Sequence, residues 1–503
     1  MPYRLRQIMH PEAGPRADRR HAHPALRQQA YLDGAWIDAD NRETIAVTDP
    51  ATGDFIGDVP ALGRPETLRA IAAAARAQRI WAGRTAAERA HPIARWAELM
   101  LEAREELASL MTLEQGKPLA EARGEIDYAA SFLTWFAAEG QRLYGDVIPS
   151  HISGRRLLTS LIPVGVTAAV TPWNFPSAMI TRKAGAALMA GCAMIVKPAT
   201  ETPFSALALA ELAERAGIPA GLFSILTGDP EPICAALAES PVVRKLSFTG
   251  STRVGRLLMT ESAATLKKLS MELGGHAPFI VFDDTALAPA VQAAIDAKFQ
   301  TSGQDCLAAN RILVHQPLYP PFCDAFATAT RALHVGNGFD DGVAIGPLIG
   351  PAAVAKCRDH VDDALEKGAR LLCGGAPHPA GPNFFEPTVL ADVTPAMRIF
   401  REETFGPVAA ITPFADEAEC IGLANDSEYG LAAYCFGGNL NQLWRVAEAL
   451  DYGMVAVNSV KMTGPPIPFG GVKQSGLGRE GSRHGITEYC ELKYLCINEA
   501  PCA

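Results

Sequence analysis

Long hydrophobic runs are scarce in this chain of 503 residues. The longest, Ala184 to Val196, lies between Lys183 and Lys197 and falls short of the roughly 20 residues that span a bilayer, so it reads as core and not as membrane. Cysteine pairing is also missing: the eleven cysteines form no CxxC pair and are irregularly spaced, which fits neither a disulfide framework nor a zinc site. A reducing cytoplasm without a structural metal is expected. Blocks of positive charge are absent too, with 45 basic residues mixed among 55 acidic ones for a net charge of -10. Nucleic acid is therefore excluded as a partner. There are no internal repeats and no low-complexity linker.

Residues 1–28 carry Arg and His with only Glu12 and Asp18 as acids, and show neither a helical period nor an apolar signal-peptide core. They are expected to be a mobile tail. Their composition slightly resembles an organelle presequence, but serine and an amphipathic face are lacking.

What the chain does have is 48% apolar content and enough length for two to four domains. From residue 164 short β-rich runs alternate with helical stretches: Val164 to Val170, Pro176 to Ala190, Ala193 to Lys197, Pro203 to Ala216, Leu222 to Leu226, Pro230 to Ala238, Lys245 to Phe248 and Thr252 to Ser262. Repeated βα units of this length imply a parallel sheet covered by helices on both faces, the setting of a dinucleotide site. Helices over Glu66 to Arg79, Ala86 to Leu113 and Lys117 to Leu143 precede it, with breaks at Gly116 and Gly145. A second βα series starts with Phe279 to Phe282, Ala286 to Phe299 and Arg311 to Val314.

Three residues carry a chemistry. Cys306 follows Gly303-Gln304-Asp305, a small and accessible approach for a thiol nucleophile. Glu272 ends an apolar run before Gly274-Gly275, where poor solvation raises a carboxyl pKa into the range of a water-activating base. Asn174 stands in the stiff segment Thr171-Pro172-Trp173-Asn174-Phe175-Pro176, which can hold an amide towards a developing oxyanion without reorganisation. The backbone N–H of Cys306 is the second oxyanion donor. Together they permit capture of an aldehyde as a thiohemiacetal, hydride loss to a thioester, and hydrolysis. The run Phe248-Thr249-Gly250-Ser251-Thr252-Arg253-Val254-Gly255 leaves a strand and opens a helix, a weak signal for a pyrophosphate site that is not GxGxxG.

With these motifs in order, residues 29 to 498 resemble the aldehyde dehydrogenase superfamily. Val170 to Pro176, Lys197-Pro198-Ala199, Phe248 to Gly255, Met271 to Gly275, Gly303 to Cys306, Glu402 to Pro407 and Pro468 to Gly471 carry the resemblance. It implies an α/β fold with a Rossmann-like cofactor domain (29–147 and 167–276), a catalytic domain (277–482), and a small β arm (148–166 and 483–503) in which Ile486 to Ile497 pairs across subunits of a homodimer or homotetramer. It also implies catalytic roles for Cys306, Glu272 and Asn174. Thr171, Pro172, Trp173, Lys197, Thr200, Gly250, Ser251, Glu403 and Phe405 are the implied cofactor contacts.

Pro172 to Ala187, Pro203 to Ala216 and Pro468 to Glu480 look most like the succinate-semialdehyde branch. In that branch an arginine at Arg182, a hydroxyl at Thr463 and a second arginine hold the distal carboxylate of the substrate. Here Gln300 takes the second arginine's place, which leaves a longer ω-oxo acid or a less charged aldehyde as alternatives, since an amide cannot form the bidentate ion pair. Ala308 replaces a second cysteine, so redox locking of the nucleophile is excluded. Asp305 is unusual beside a thiol, and would raise its pKa if it faced the sulfur. Thr200 stands where NAD-preferring relatives place a glutamate, so the cofactor is NADP or NAD with a lean to NADP, which Glu201 weakens. A CoA-acylating enzyme, a cysteine-dependent esterase and a non-catalytic binding protein of the same fold are the competing readings.

Overall fold

The computed structural model describes residues 23–498 and contains two large sheets, a three-stranded arm and a two-stranded ribbon. The first large sheet runs Gly476–Leu477, Lys268–Glu272, Val243–Thr249, Val166–Val170, Ala193–Lys197, Phe223–Ile225, Ala30–Leu32, Ala35–Ile37. Its middle five strands are parallel and the outer pairings antiparallel. Strands buried on both faces need continuous apolar runs, and Ala193–Lys197 (AMIVK) is buried at every position. The small stripes of the helix Ala178–Ala190 let it lie close on this sheet, with all thirteen residues buried.

The second sheet runs Arg370–Cys373, Thr388–Ala391, Val408–Phe414, Ala309–His315, Ala277–Val281, Ala432–Phe436, Met454–Val457, parallel except at Arg370–Cys373. Two glycine-rich stretches join the sheets. Residues 273–276 carry the chain from Lys268–Glu272 into Ala277–Val281. Residues 470–476 bring it back, so that Gly476–Leu477 pairs with Met271 and Glu272 at the first sheet's edge. The helix Ser482–Thr487 then packs on Ala178–Ala190, and Ile486, Tyr489 and Cys490 are buried in the first sheet's core.

The arm pairs Cys490–Asn498 with Arg155–Pro163 over nine residues, and Val147–Ile148 adds a short second partner. Its strand was expected from Ile486, but it starts at Cys490, because residues 482–487 are held in a helical turn by the core beneath them. Residues 1–22 of the expected tail and 499–503 of the arm lie outside the described residues. Residues 23–28 are tied down: Arg27 pairs with Glu211 at 2.7 Å and Gln28 Oε1 accepts the Asp58 N–H at 2.9 Å.

The first three helices hold further differences. The stretch expected as one helix from Ala86 to Leu113 is two, Ala86–Glu102 and Arg104–Gln115, which meet where Arg104 turns to clamp Asp127 with two bonds of 2.7 Å. Thr85 and Glu88 close a reciprocal cap at the first of them. Four short strands between Ala30 and Pro60 went unread, although Asp33 and Gly34, at φ 52° and 77°, form the tight turn that an Asp-Gly pair between apolar runs announces. Among the described residues no helix is long and apolar enough to cross a membrane.

Candidate active site

The parallel part of the first sheet begins at Val166–Val170 in the middle, builds outward through Ala193–Lys197 and Phe223–Ile225, and then switches sides to Val243–Thr249. The crevice beyond the carboxyl ends at such a reversal is where open α/β sheets bind ligands. Thr171, Pro172 and Trp173 leave one of the two central strands, and Gly250 and Ser251 leave the other. Lys268–Glu272 ends beside them, so Glu272 arrives at the same mouth. A cavity of about 1120 Å³ opens there, lined among others by Pro172, Trp173, Asn174, Arg182, Gly250, Ser251, Glu272, Gln300, Cys306, Glu403, Phe405 and Thr463.

Cys306 is delivered by a strained turn. After the helix Leu287–Phe299, residues Thr301 and Ser302 both take left-handed backbone angles, φ 50° and 58°. Such a turn persists only when it is over-determined. The Thr301 N–H donates to Glu121 Oε2 at 3.0 Å, the Ser302 hydroxyl donates to the Gly346 carbonyl at 3.1 Å, and the Gln304 side chain accepts the Ile349 N–H at 2.9 Å. At Gly303, φ +72°, a Cβ would stand 2.3 Å from the Gly406 carbonyl oxygen. The thiol that results is pushed well above its ordinary pKa, by burial first and then by the negative charges of Asp305 and Glu403. The Asp305 carboxylate is near enough to hold the thiol protonated by its charge, and its Oδ1 accepts the Leu307 N–H at 3.0 Å.

Asn174 is clamped from both ends. Its Nδ2 donates to the Gln304 carbonyl at 3.0 Å, and its backbone carbonyl accepts Lys117 Nζ at 2.7 Å. Lys117 in turn pairs with Glu125 at 2.5 Å, and Glu125 accepts the Ser177 and Ala178 N–H groups at the start of a helix, where a negative charge is favoured. The second amide hydrogen of Asn174 has no protein acceptor among the described residues.

Glu272 is 2% exposed and, among the described residues, neither of its oxygens has a hydrogen-bond partner. Burial, helped by the charge of Glu480, raises its pKa well above the carboxylate range, against the pull of Arg182, Lys183 and Arg479. A carboxyl of this kind is a base suited to water near neutral pH.

A dinucleotide fits the crevice on backbone grounds. Ser251 caps the helix Thr252–Ser262 by accepting the Val254 N–H at 3.4 Å, so the amides of its first turn face the opening. At Gly250 a Cβ would stand 2.6 Å from the Phe248 ring, so only glycine leaves that approach clear. Glu403 accepts the Gly275 N–H at 2.9 Å and is pushed up to about 7 by burial. Phe405 meets Trp173 edge to face at 5.5 Å, on a backbone strained to φ 57°. Lys197 and Thr200 stand apart from the main cavity. Lys197 is buried with its Nζ on the Pro198 carbonyl at 2.7 Å and is pulled down to about 8 by burial, while Thr200 lines a separate small pocket with Glu201 and Glu114.

The same cavity is lined by Arg182, Gln300 and Thr463, and also by residues that the sequence did not suggest. Arg182 Nε lies 2.6 Å from Glu480 Oε2 as an ion pair, its Nη2 meets Met179 Sδ at 3.1 Å, and the Phe469 ring covers it at 4.2 Å. Tyr128 lines the same wall of the cavity as Arg182 and Thr463. Glu480 also binds Lys183, and although burial works against its ionisation, Lys183 and Arg182 bring it down to about 2. No local pattern ties Glu480 to a helix almost three hundred residues earlier. Only the returning stretch 470–480 brings it there.

The model of the Aldehyde dehydrogenase family matches residues 36–495. The chain belongs to that family. This dehydrogenase is 56% identical to the glutarate-semialdehyde dehydrogenase of Pseudomonas aeruginosa and to succinate-semialdehyde dehydrogenase [NADP(+)] GabD of Escherichia coli, each over 94% of this chain and 98% of the relative. Its fold matches the crystal structure of succinate-semialdehyde dehydrogenase from Burkholderia pseudomallei with a TM-score of 0.94, at 54% identity over 94% of this chain and 98% of the other. The dehydrogenase fold expected from the motifs is thereby the fold it has.

Proposed function

We propose that the enzyme oxidises an aldehyde bearing a second carboxylate, succinate semialdehyde foremost, to the dicarboxylic acid, using NADP or NAD. The observation that carries this reading is the convergence of Cys306, Glu272, Asn174 and Arg182 on one cavity with Gly250, Ser251, Glu403 and Phe405. Cys306 attacks the carbonyl carbon. The free Asn174 amide hydrogen and the Cys306 backbone N–H steady the oxyanion, a contact whose loss costs roughly a hundredfold to a thousandfold in comparable sites. When bound, the nicotinamide ring supplies the hydride acceptor. Ser251 and the first turn of its helix hold the pyrophosphate, and Glu403, Phe405 and Trp173 fix the nicotinamide end. Glu272 takes a proton from the water that attacks the thioester, and Cys306 leaves. Lys197 serves the adenosine ribose from beyond the main cavity. Thr200 adds no negative charge there, which favours NADP as the cofactor, in keeping with the E. coli relative named for it.

Arg182, Thr463 and Tyr128 receive the distal carboxylate. Gln300 favours a second reading, a longer ω-oxo acid such as glutarate semialdehyde, for which the P. aeruginosa relative is named. The two differ in a simple assay: purified protein with succinate semialdehyde, glutarate semialdehyde or butanal and either cofactor, followed by reduced-nicotinamide absorbance. Reduction with none of them defeats the proposal, and product formation that depends on added CoA moves it to the acylating class. Comparison of Gln300→Arg with the parent then reports whether the missing arginine sets chain length.

The arm supports a homo-oligomer. Leu492 and Tyr494 on one face of its nine-residue strand, and Leu495 and Ile497 on the other, are exposed at 41% or more, which is unusual for so many apolar side chains on one strand. A cytoplasmic location is part of this proposal, because eleven irregularly spaced cysteines without a CxxC pair suit a reducing compartment.

A further inference from the structure

We propose that His360 is a positioning residue for the nicotinamide end of the cofactor: its ring holds Glu402 and Thr404, and so turns their chain neighbours Glu403 and Phe405 towards the cavity. His360 stands on the helix Pro351–Glu366 and is 0% exposed. Its Nδ1 lies 3.1 Å from the Thr404 hydroxyl and its Nε2 lies 3.3 Å from Glu402 Oε2. A carboxylate only accepts, so Nε2 carries a proton and donates it. Burial lowers the ring's pKa and keeps it neutral, against the pull of Glu402 and with the help of Lys356 and Arg398, which leaves Nδ1 to accept the Thr404 hydroxyl proton. Both ring nitrogens are thereby spent on one short segment.

That segment alternates. Glu402 is extended, at φ -109° and ψ 136°, and in extended backbone successive side chains point to opposite sides. Glu402 and Thr404 turn to the helix, whereas Glu403 and Phe405 line the cavity. Arg398 holds the same Glu402 carboxylate with two bonds of 3.1 Å, so the first post is fixed. Phe405 has a left-handed backbone, φ 57°, a strain that persists only where the surroundings over-determine it. Its anchors on either side come from one helix: His360 holds Thr404 before it, and Cys357 Sγ lies so close to Gly406 after it that a Cβ there would collide with the sulfur. Glu403 itself has a single anchor on the cavity side, the Gly275 N–H at 2.9 Å, so its place depends on the backbone that carries it. Removing the ring leaves the buried Thr404 hydroxyl without its acceptor and frees the turn at Phe405. The adenosine half of the cofactor is held by other elements, through Lys197 and Ser251, and does not feel the change.

The test uses full-length enzyme and compares two probes, NADP and adenosine 2',5'-bisphosphate, the half that lacks nicotinamide and its ribose. His360→Leu should raise the Kd for NADP roughly tenfold, the worth of one or two hydrogen bonds, and hardly move that for the bisphosphate. The pre-steady-state burst of reduced nicotinamide should slow roughly ten- to a hundredfold, because the ring that accepts hydride is no longer held in place. Thr404→Val, close in shape to the native residue, removes one of the two contacts and should shift both quantities the same way by less, so it carries the test if His360→Leu does not fold. The double variant should be little worse than His360→Leu, since the two side chains act through one bond. Equal weakening of both probes would mean general damage to the cofactor domain, and unchanged NADP affinity and burst would mean that the segment holds itself. Either result overturns the proposal. It rests on Glu403 and Phe405 as the nicotinamide contacts: Glu403→Gln without effect on NADP affinity or burst would defeat that reading, whereas an effect of Glu403→Gln with none from His360→Leu and Thr404→Val defeats this proposal alone.

Discussion

Replacing Arg182 tests the substrate reading most directly, and the structure says how the result must be read. The guanidinium pairs with Glu480 through Nε, meets Met179 Sδ through Nη2, lies against the Phe469 ring and stands beside Tyr128 at the cavity wall. Arg182→Ala removes all of these, leaving the Glu480 carboxylate to Lys183 and Ser247. Loss of a buried partner destabilises the fold, by as much as about 3 to 5 kcal/mol where the remaining charge is wholly uncompensated. Lys183 keeps the cost below that. This damage falls on every substrate equally, whereas a charge-assisted hydrogen bond to the distal carboxylate, worth about 1.5 to 3 kcal/mol, is lost only for substrates that have one. The informative quantity is therefore the ratio of kcat/KM for succinate semialdehyde to that for butanal, of similar length without the carboxylate. The ratio should fall roughly ten- to 150-fold in Arg182→Ala, carried by KM because the contact persists from ground state to transition state. Arg182→Lys, which keeps a charge for Glu480 but loses the planar fork, should fall between the two. An unchanged ratio in both variants would refute Arg182 as the anchor, however much the absolute rates drop.

The other expectations are briefer. Glu272→Gln should leave the burst of reduced nicotinamide and abolish steady turnover, because the thioester accumulates; burst and steady rate falling together would count against Glu272 as the hydrolytic base. The same variant carries a stability signature: a carboxyl whose folded pKa is raised loses stability as pH rises past the unfolded value of about 4.3, so Glu272→Gln should out-melt the parent by a margin that widens from about pH 5 to pH 8. Thr200→Glu should shift the kcat/KM ratio from NADP towards NAD by about 1 kcal/mol or more, the interaction of two charges about 4 Å apart in water, and no shift would place the 2'-phosphate elsewhere. Leu492→Asp with Leu495→Asp should lower the mass seen by light scattering to that of a single chain if the arm joins subunits.

The βα alternation between residues 164 and 262 could be read because strands covered on both faces are unbroken apolar runs and their helices open beside Pro, Ser or Thr. Thr252–Ser262 and Ala193–Lys197 have the bounds that the pattern indicated. The break at Ala103 carries no glycine or proline, since its cause is a clamp from another helix. The motifs placed Cys306, Glu272 and Asn174 at one cavity, but the groups that tune them remained out of view. Glu480 reaches Arg182 only through the chain's return to the first sheet, Tyr128 looks like one more helix residue, and the direction of Asp305 depends on a turn around the nucleophile. Local pattern reports what a residue is and which face it occupies. Its charge environment is assembled from distant segments.

That return has a mechanical consequence. The chain crosses between the sheets at 273–276 and again at 470–476, and its second crossing ends in backbone pairing with Met271 and Glu272. A door with two pins on one side swings about a fixed line and cannot be lifted off. Rotation of one half against the other would pass through Gly274, Gly470 and Gly476, close to Glu272, so the width of the cavity and the placement of that carboxyl would be adjusted by the same few torsions.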